Sequence, residues 1–183
     1  GGDVAGRRSS RRGGPGAPPA PSALILTARW NPANEPTHVD PLREVIECLS
    51  SLDTLALTSR CFDFTRSDCF AKGKGNAGKE VSILQFEPNG GFSIRYNSYR
   101  FRLSDRACSA AARAFTTFQK KLDNAQPLAF VLQPDSALLI NNSRALHGRD
   151  RVQDNRRLLI PQFGYSPFAE PLVLVEDPLL VRG

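Results

Sequence analysis

Only two histidines occur in the chain, His38 and His147. His147 follows an apolar run and an Asn141-Asn142 loop, and Arg149, Arg156 and Arg157 come soon after it. A neutral imidazole is a good ligand for iron. An arginine offers a planar fork that grips a carboxylate through two parallel hydrogen bonds. A His at a strand mouth with an Arg one strand-turn later can therefore hold a metal and a carboxylate-bearing cosubstrate side by side. By residue chemistry alone the pattern is unspecific: a single loop His is more often surface or hydrogen-bonded, and an Arg pair is more often solvated. His38-Val39-Asp40 has the His-x-Asp form that can supply two further ligands of a three-ligand facial site.

These residues need elements to place them. Gln133-Pro134-Asp135 turns the chain into an apolar strand, Ser136–Asn141, which delivers His147, and Arg157–Gly164 forms the next strand. Further strands are expected at Ala23–Ala28, Thr54–Phe64, Ser82–Phe86, Phe92–Tyr96 and Leu128–Gln133, with Asn31–Thr37 a Pro- and Asn-rich loop. Pro88-Asn89-Gly90-Gly91 marks a turn, and Lys72–Lys79 a loop. Asp40 followed by Pro41 reads as an N-cap and first helical residue. Leu42, Val45, Ile46 and Leu49 then predict an amphipathic helix over 41–51. A second helix starts at Ser104, with an apolar face of Ala107, Ala111, Phe115, Phe118 and Leu122. Pro171–Glu176 is apolar and fits either state. Many short strands with turn signals between them, plus two helices, predict a mainly β fold, sheet packed on sheet, with helices outside.

Residues 1–22 are built from Gly, Pro, Ser, Ala and Arg, and bury too little apolar surface to offset ordering entropy. They are expected to form a disordered tail ahead of one domain over 23–183. The tail carries Arg7, Arg8, Arg11 and Arg12 against Asp3, about half of the net charge of +6, so the domain is only mildly basic and nucleic-acid binding is not implied. Cys48, Cys61, Cys69 and Cys108 form no CxxC pair and match no zinc spacing, which reads as reduced thiols in a cytoplasmic protein. No secretory leader is visible, and no apolar stretch approaches the roughly 20 residues of a membrane span. The chain contains no Met, and so reads as processed or as part of a longer product.

The segment PDSALLINNSRALHGRDRVQDNRRLL, residues 134–159, resembles a stretch of the TauD/TfdA-type dioxygenases and their clavaminate-synthase-like relatives. FSIRYNSYRFRLSDRACSAAARAF and FTRSDCF resemble upstream stretches of the same family in the same order, so the likeness spans roughly residues 50–165. It implies a double-stranded β-helix, or jelly roll, present in part, with residues 23–183 as the C-terminal portion of the domain. It also implies an oxygenase that binds iron(II), converts 2-oxoglutarate to succinate by oxidative decarboxylation, and hydroxylates a small molecule. His147 matches the distal His of the metal triad, and Arg157 the Arg that binds the 2-oxoglutarate carboxylate, with Arg156 as the alternative one residue away. Some members hold an acidic substrate with a further Arg; Pro161 stands in that place here.

His38-Val39-Asp40 is not expected to complete this triad. Asp40 reads as a helix cap, and His38 lies closer to His147 than the family's spacing allows; that spacing puts the motif near or before the N-terminus. The alternative is thus a truncated or inactive relative lacking half of the metal site.

Overall fold

The structure is a computed structural model that describes residues 21–65, 78–87, 91–150 and 152–166. It is mainly β with flanking helices. In chain order the elements are β1 (Ala23–Trp30), β2 (Thr37–Pro41), α1 (Leu42–Glu47), α2 (Ser51–Leu57), β3 (Phe62–Phe64), β4 (Gly78–Val81) and β5 (Leu84–Phe86). They continue with β6 (Phe92–Ile94), β7 (Phe101–Leu103), α3 (Ser109–Asp123), β8 (Leu128–Phe130), β9 (Ala137–Asn141), β10 (Ala145–Gly148) and β11 (Leu158–Gly164).

Two three-stranded antiparallel sheets make the jelly-roll part, ordered β11-β1-β9 and β10-β2-β8. Burial alternates along β1, so Leu24, Leu26 and Ala28 point inward. They join Val39 of β2 and Ile140 of β9 in one core cluster, which places it between the two sheets. Pro161 lies in β11 opposite Leu26. Among the described residues β11 pairs only with β1, an edge position where a proline is tolerated.

A second, larger cluster gathers residues of α1, α2, α3, β3, β5, β6 and β7. Helix α3 buries Ala111, Phe115 and Phe118 of the expected apolar face together with Ala114, while Ala107, just ahead of the helix, and Leu122 are partly buried. The described residues therefore form two cores, and α3 is the centre of one of them, not a cover laid over a single β core. Asp53 of α2 accepts from Arg113 Nε of α3 at 3.2 Å, tying the two helices together. The two parts are joined where Leu42 N–H donates to Arg144 O and Ile94 N–H to Ser143 O, each at 3.0 Å.

Several sequence expectations change. The strand expected over Thr54–Phe64 is helix α2 followed by the short β3. The helix expected over 41–51 ends at Glu47, and α2 begins afresh at Ser51. Ser50 caps α2 by accepting from Asp53 N–H at 3.1 Å. Ser50→Ala is expected to cost about 1 kcal/mol in urea denaturation, since that amide loses its acceptor. Asp40 is no cap: the N-cap of α1 is Pro41, without a side-chain hydrogen bond, and Asp40 lies within β2. Helix α3 starts at Ser109, after a turn in which Ala107 N–H donates to Ser104 O. Strands β2, β4, β7 and β10 are not among the expected strands, and β4 takes Gly78 and Lys79 of the expected Lys72–Lys79 loop, whereas the β5–β6 hairpin and the strands around Ala23, Leu138 and Leu158 are as expected. Gly91 takes φ 78°, a turn conformation that favours glycine.

The expected tail, the 72–77 part of the Lys-rich loop, residues 88–90 of the hairpin turn, Cys69 and Pro171–Glu176 lie outside the described residues. Pro21 and Ser22, assigned to the tail, are bonded to the body: Asn142 donates to the carbonyls of both, and Ser166 N–H donates to Ser22 Oγ at 2.8 Å. Cys48, Cys61 and Cys108 are free thiols. Among the described residues no helix is long and apolar enough to cross a membrane.

Candidate functional site

Strand register decides which side chains meet. In the β10–β2 pair, His147 lies opposite Val39 and Gly148 opposite His38. Cross-strand partners share a face, and neighbours along a strand alternate. His147 therefore sits on the face of Val39 and Thr37, the inner face turned toward the β11-β1-β9 sheet. His38 and Asp40 sit on the other face, beside Leu146, which packs against the larger core.

Arg157 reaches the same inner row. It stands just before β11, with a side chain only 2% exposed. Its Nη2 donates to Thr37 Oγ1 at 3.0 Å, Pro36 O at 3.2 Å and Glu35 O at 3.3 Å. Its Nε is buried without a hydrogen-bond partner, 3.9 Å from Glu35 Oε2. Burial lowers the Arg157 pKa, opposed by the Glu35 carboxylate and assisted by the nearby positive charge of Arg149. Arg156, the alternative, is exposed and turns back onto Asp154, which accepts from its Nε and Nη2 at 3.0 and 2.8 Å. Those bonds hold the Asp154 carboxyl below its ordinary range and raise the Arg156 pKa. Neighbours in sequence, the two arginines thus have opposite environments.

His147 is exposed in area, yet the protein packed beside its ring disfavours the charged form and lowers its pKa. The neutral ring, the form able to coordinate a metal, is thereby favoured. His38 is engaged elsewhere, with Nε2 3.0 Å from Asp150 Oδ2. Burial raises the Asp40 pKa, opposed by His38. Among the described residues no group of three or more His, Cys, Asp or Glu is placed to hold a metal ion. His147 is thus a single donor, and the described residues alone do not fit a facial iron centre, which takes two imidazoles and a carboxylate.

A cavity of about 350 Å³ opens between the sheets, lined in part by Val39 and Pro41, Leu128 and Phe130 of β8, and Leu138 and Ile140 of β9. Its volume suits a small organic ligand, and Val39 is its link to the row holding His147. Thr37, Glu35 and Asn31 escaped the sequence reading. Their only signal was a dense cluster of polar residues in a Pro-rich loop, which says nothing about a partner more than 100 residues away.

No protein-family model matches the chain, and no curated protein matches it. Solved structures do. Non-heme iron oxygenase OrfP in complex with Fe, succinate and (3S)-hydroxy-L-Arg aligns with TM-score 0.63 and 22% identity, over 80% of this chain and 45% of that one. OrfP with Fe and alpha-ketoglutaric acid aligns with TM-score 0.64 and 21% identity, over 85% and 51%. Asparagine oxygenase in complex with Fe(II), 2S,3S-3-hydroxyasparagine and succinate gives TM-score 0.65 and 19% identity, over 79% and 46%. The chain spans about half the length of the solved structures it matches. At this identity the likeness is one of fold: over most of its own length the chain shares part of the jelly-roll fold of non-heme iron oxygenases.

Proposed function

We propose that the chain works within an iron(II)/2-oxoglutarate-dependent oxygenase that hydroxylates a small molecule, and that its described residues form the cosubstrate side of that site. Arg157 is the residue assigned to the 2-oxoglutarate carboxylate, with the Thr37 hydroxyl beside it, and His147 is assigned as one iron ligand. The observation that carries this reading is that strand register turns His147 to the same inner face as Thr37, whose hydroxyl accepts from the buried Arg157. The fold shared with oxygenases that bind Fe with alpha-ketoglutarate or succinate supports it. Since solved neighbours hold a hydroxylated arginine and a hydroxylated asparagine, an amino acid is the substrate class we favour. Two further iron ligands have to come from outside the described residues.

Two titrations test the proposal. Calorimetry should give saturable 2-oxoglutarate binding to the wild type, unchanged by Arg156→Ala because that side chain is exposed and paired with Asp154. No binding to the wild type would overturn the cosubstrate assignment. Cobalt(II), a spectroscopic stand-in for iron(II), should bind only weakly, lose that binding in His147→Ala and keep it in His38→Ala. Tight stoichiometric binding lost in both variants would put His38 in the metal site and overturn the register argument.

A further inference from the structure

The contacts around Arg157 carry a second conclusion, which rests on the cosubstrate reading above. Glu35 Oε1 accepts from two consecutive backbone amides, Gln153 N–H at 2.9 Å and Asp154 N–H at 2.7 Å. Asp154 in turn opens the tight turn that ends at Arg157, whose N–H donates to Asp154 O at 3.0 Å. The Glu35 side chain thus fixes the backbone leading into Arg157, while the carbonyls of Glu35 and Pro36 and the Thr37 hydroxyl fix the guanidinium at the far end.

The clamp is itself anchored. Asn31 is 5% exposed. Its side chain bonds Glu35 in both directions: Glu35 N–H donates to Asn31 Oδ1, and Asn31 Nδ2 donates to Glu35 O, each at 3.0 Å. Asn31 Nδ2 also donates to Leu132 O at 3.1 Å, fastening the loop to the segment after β8.

We infer that Glu35 is the positioning residue of the Arg157 anion site: its carboxylate holds the Gln153–Asp154 turn so that the buried guanidinium is preset for a carboxylate ligand. The part of Glu35 that matters is the acceptor oxygen Oε1. Its negative charge also repels an incoming anion, so charge and geometry act in opposite directions and can be separated by substitution. Glutamine keeps an acceptor oxygen in the same place without the charge; alanine removes both.

The test uses the full chain and three readouts on wild type, Glu35→Ala and Glu35→Gln: amide hydrogen exchange, solvent exchange of Arg157 Nε–H, and the 2-oxoglutarate Kd. In Glu35→Ala the Gln153 and Asp154 amides and Arg157 Nε–H should exchange at least about tenfold faster, with Kd raised at least about tenfold; in Glu35→Gln all three should stay within about threefold of wild type. The amides of Leu24 and Leu26, in the β1 core, should stay protected throughout. Should they open in Glu35→Ala, Glu35→Asp replaces it, since its carboxylate is one methylene too short to reach both amides, and there the Gln153 and Asp154 amides and Arg157 Nε–H should exchange faster while Leu24 and Leu26 stay protected. Faster amide exchange with an unchanged Kd would overturn the inference, because Glu35 would then hold the turn without presetting the arginine. Unchanged exchange in Glu35→Ala would also overturn it. If the wild type binds no 2-oxoglutarate, the cosubstrate reading fails, and Arg157 Nε–H decides the positioning role: faster exchange in Glu35→Ala but not in Glu35→Gln supports it, and no difference overturns it.

Discussion

Arg157→Ala should weaken 2-oxoglutarate binding by at least about 30-fold, the lower end of the roughly 2–5 kcal/mol lost when one member of a buried charge pair is truncated. The same substitution should lower folding stability by about 3 kcal/mol, the low end of what breaking a buried ion pair costs. The low end applies because Glu35 keeps its two amide bonds from Gln153 and Asp154, while its own carbonyl, Pro36 O and Thr37 Oγ1 lose a donor. Lysine supplies the charge without the planar fork, so Arg157→Lys should lose nearly as much affinity. Calorimetric titration measures the first effect and urea denaturation the second, with titrations run well below the midpoint of each variant. Lysine binding within about threefold of wild type would show that charge alone suffices, against the bidentate geometry. If Arg156→Ala abolished binding and Arg157→Ala did not, the anion would belong to the exposed arginine.

The largest loss of stability is expected at the larger core. Phe118 is fully buried on α3 and meets Tyr96 edge-on, with ring centroids 5.0 Å apart. Tyr96 also contacts Phe115 and Phe101, so the ring of Phe118 closes an aromatic cluster that joins α3 to β7 and the segment after β6. Phe118→Ala should cost about 3–5 kcal/mol, as transfer free energy and residual cavity add. That corresponds to a fall in Tm of roughly 10 °C for a chain of this size. Tyr99, at 95% exposure, is the control: Tyr99→Ala should change stability by no more than about 0.5 kcal/mol. A loss under about 1 kcal/mol for Phe118→Ala in thermal and urea unfolding would show that this core is loosely packed.

Where local pattern and tertiary demand agree, the sequence alone was informative. The apolar spacing of α3 names its buried face because a 3.6-residue period leaves one stripe to bury. The short apolar run of β1 and the turn signal between β5 and β6 are local in the same sense. Failures came where a short apolar run fits both states. Thr54–Leu57, the start of the expected Thr54–Phe64 strand, reads as strand by content, and the Ser50 cap, three residues before Asp53, is the local sign of a helix. Strands β2 and β10 are short and carry His, Asp and Gly, so neither announces itself; β10 forms by pairing with β2, and β2 by pairing with both β10 and β8.

The candidate site divides along the same line. Residue types and spacing singled out His147 and Arg157 without any coordinates. They could not say which of two adjacent arginines turns inward, because that depends on Glu35, Pro36 and Thr37, about 120 residues away, collecting the guanidinium of Arg157. Nor could they place His38 and Asp40. Asp40 lies in β2 and caps no helix, and the register that pairs His147 with Val39 turns both residues to the face opposite His147. A one-residue shift would reverse that outcome, because side chains alternate across a strand with a period of two. Register is fixed by which apolar residues reach the core between the sheets, a property of the assembled pair that no single stretch of sequence contains.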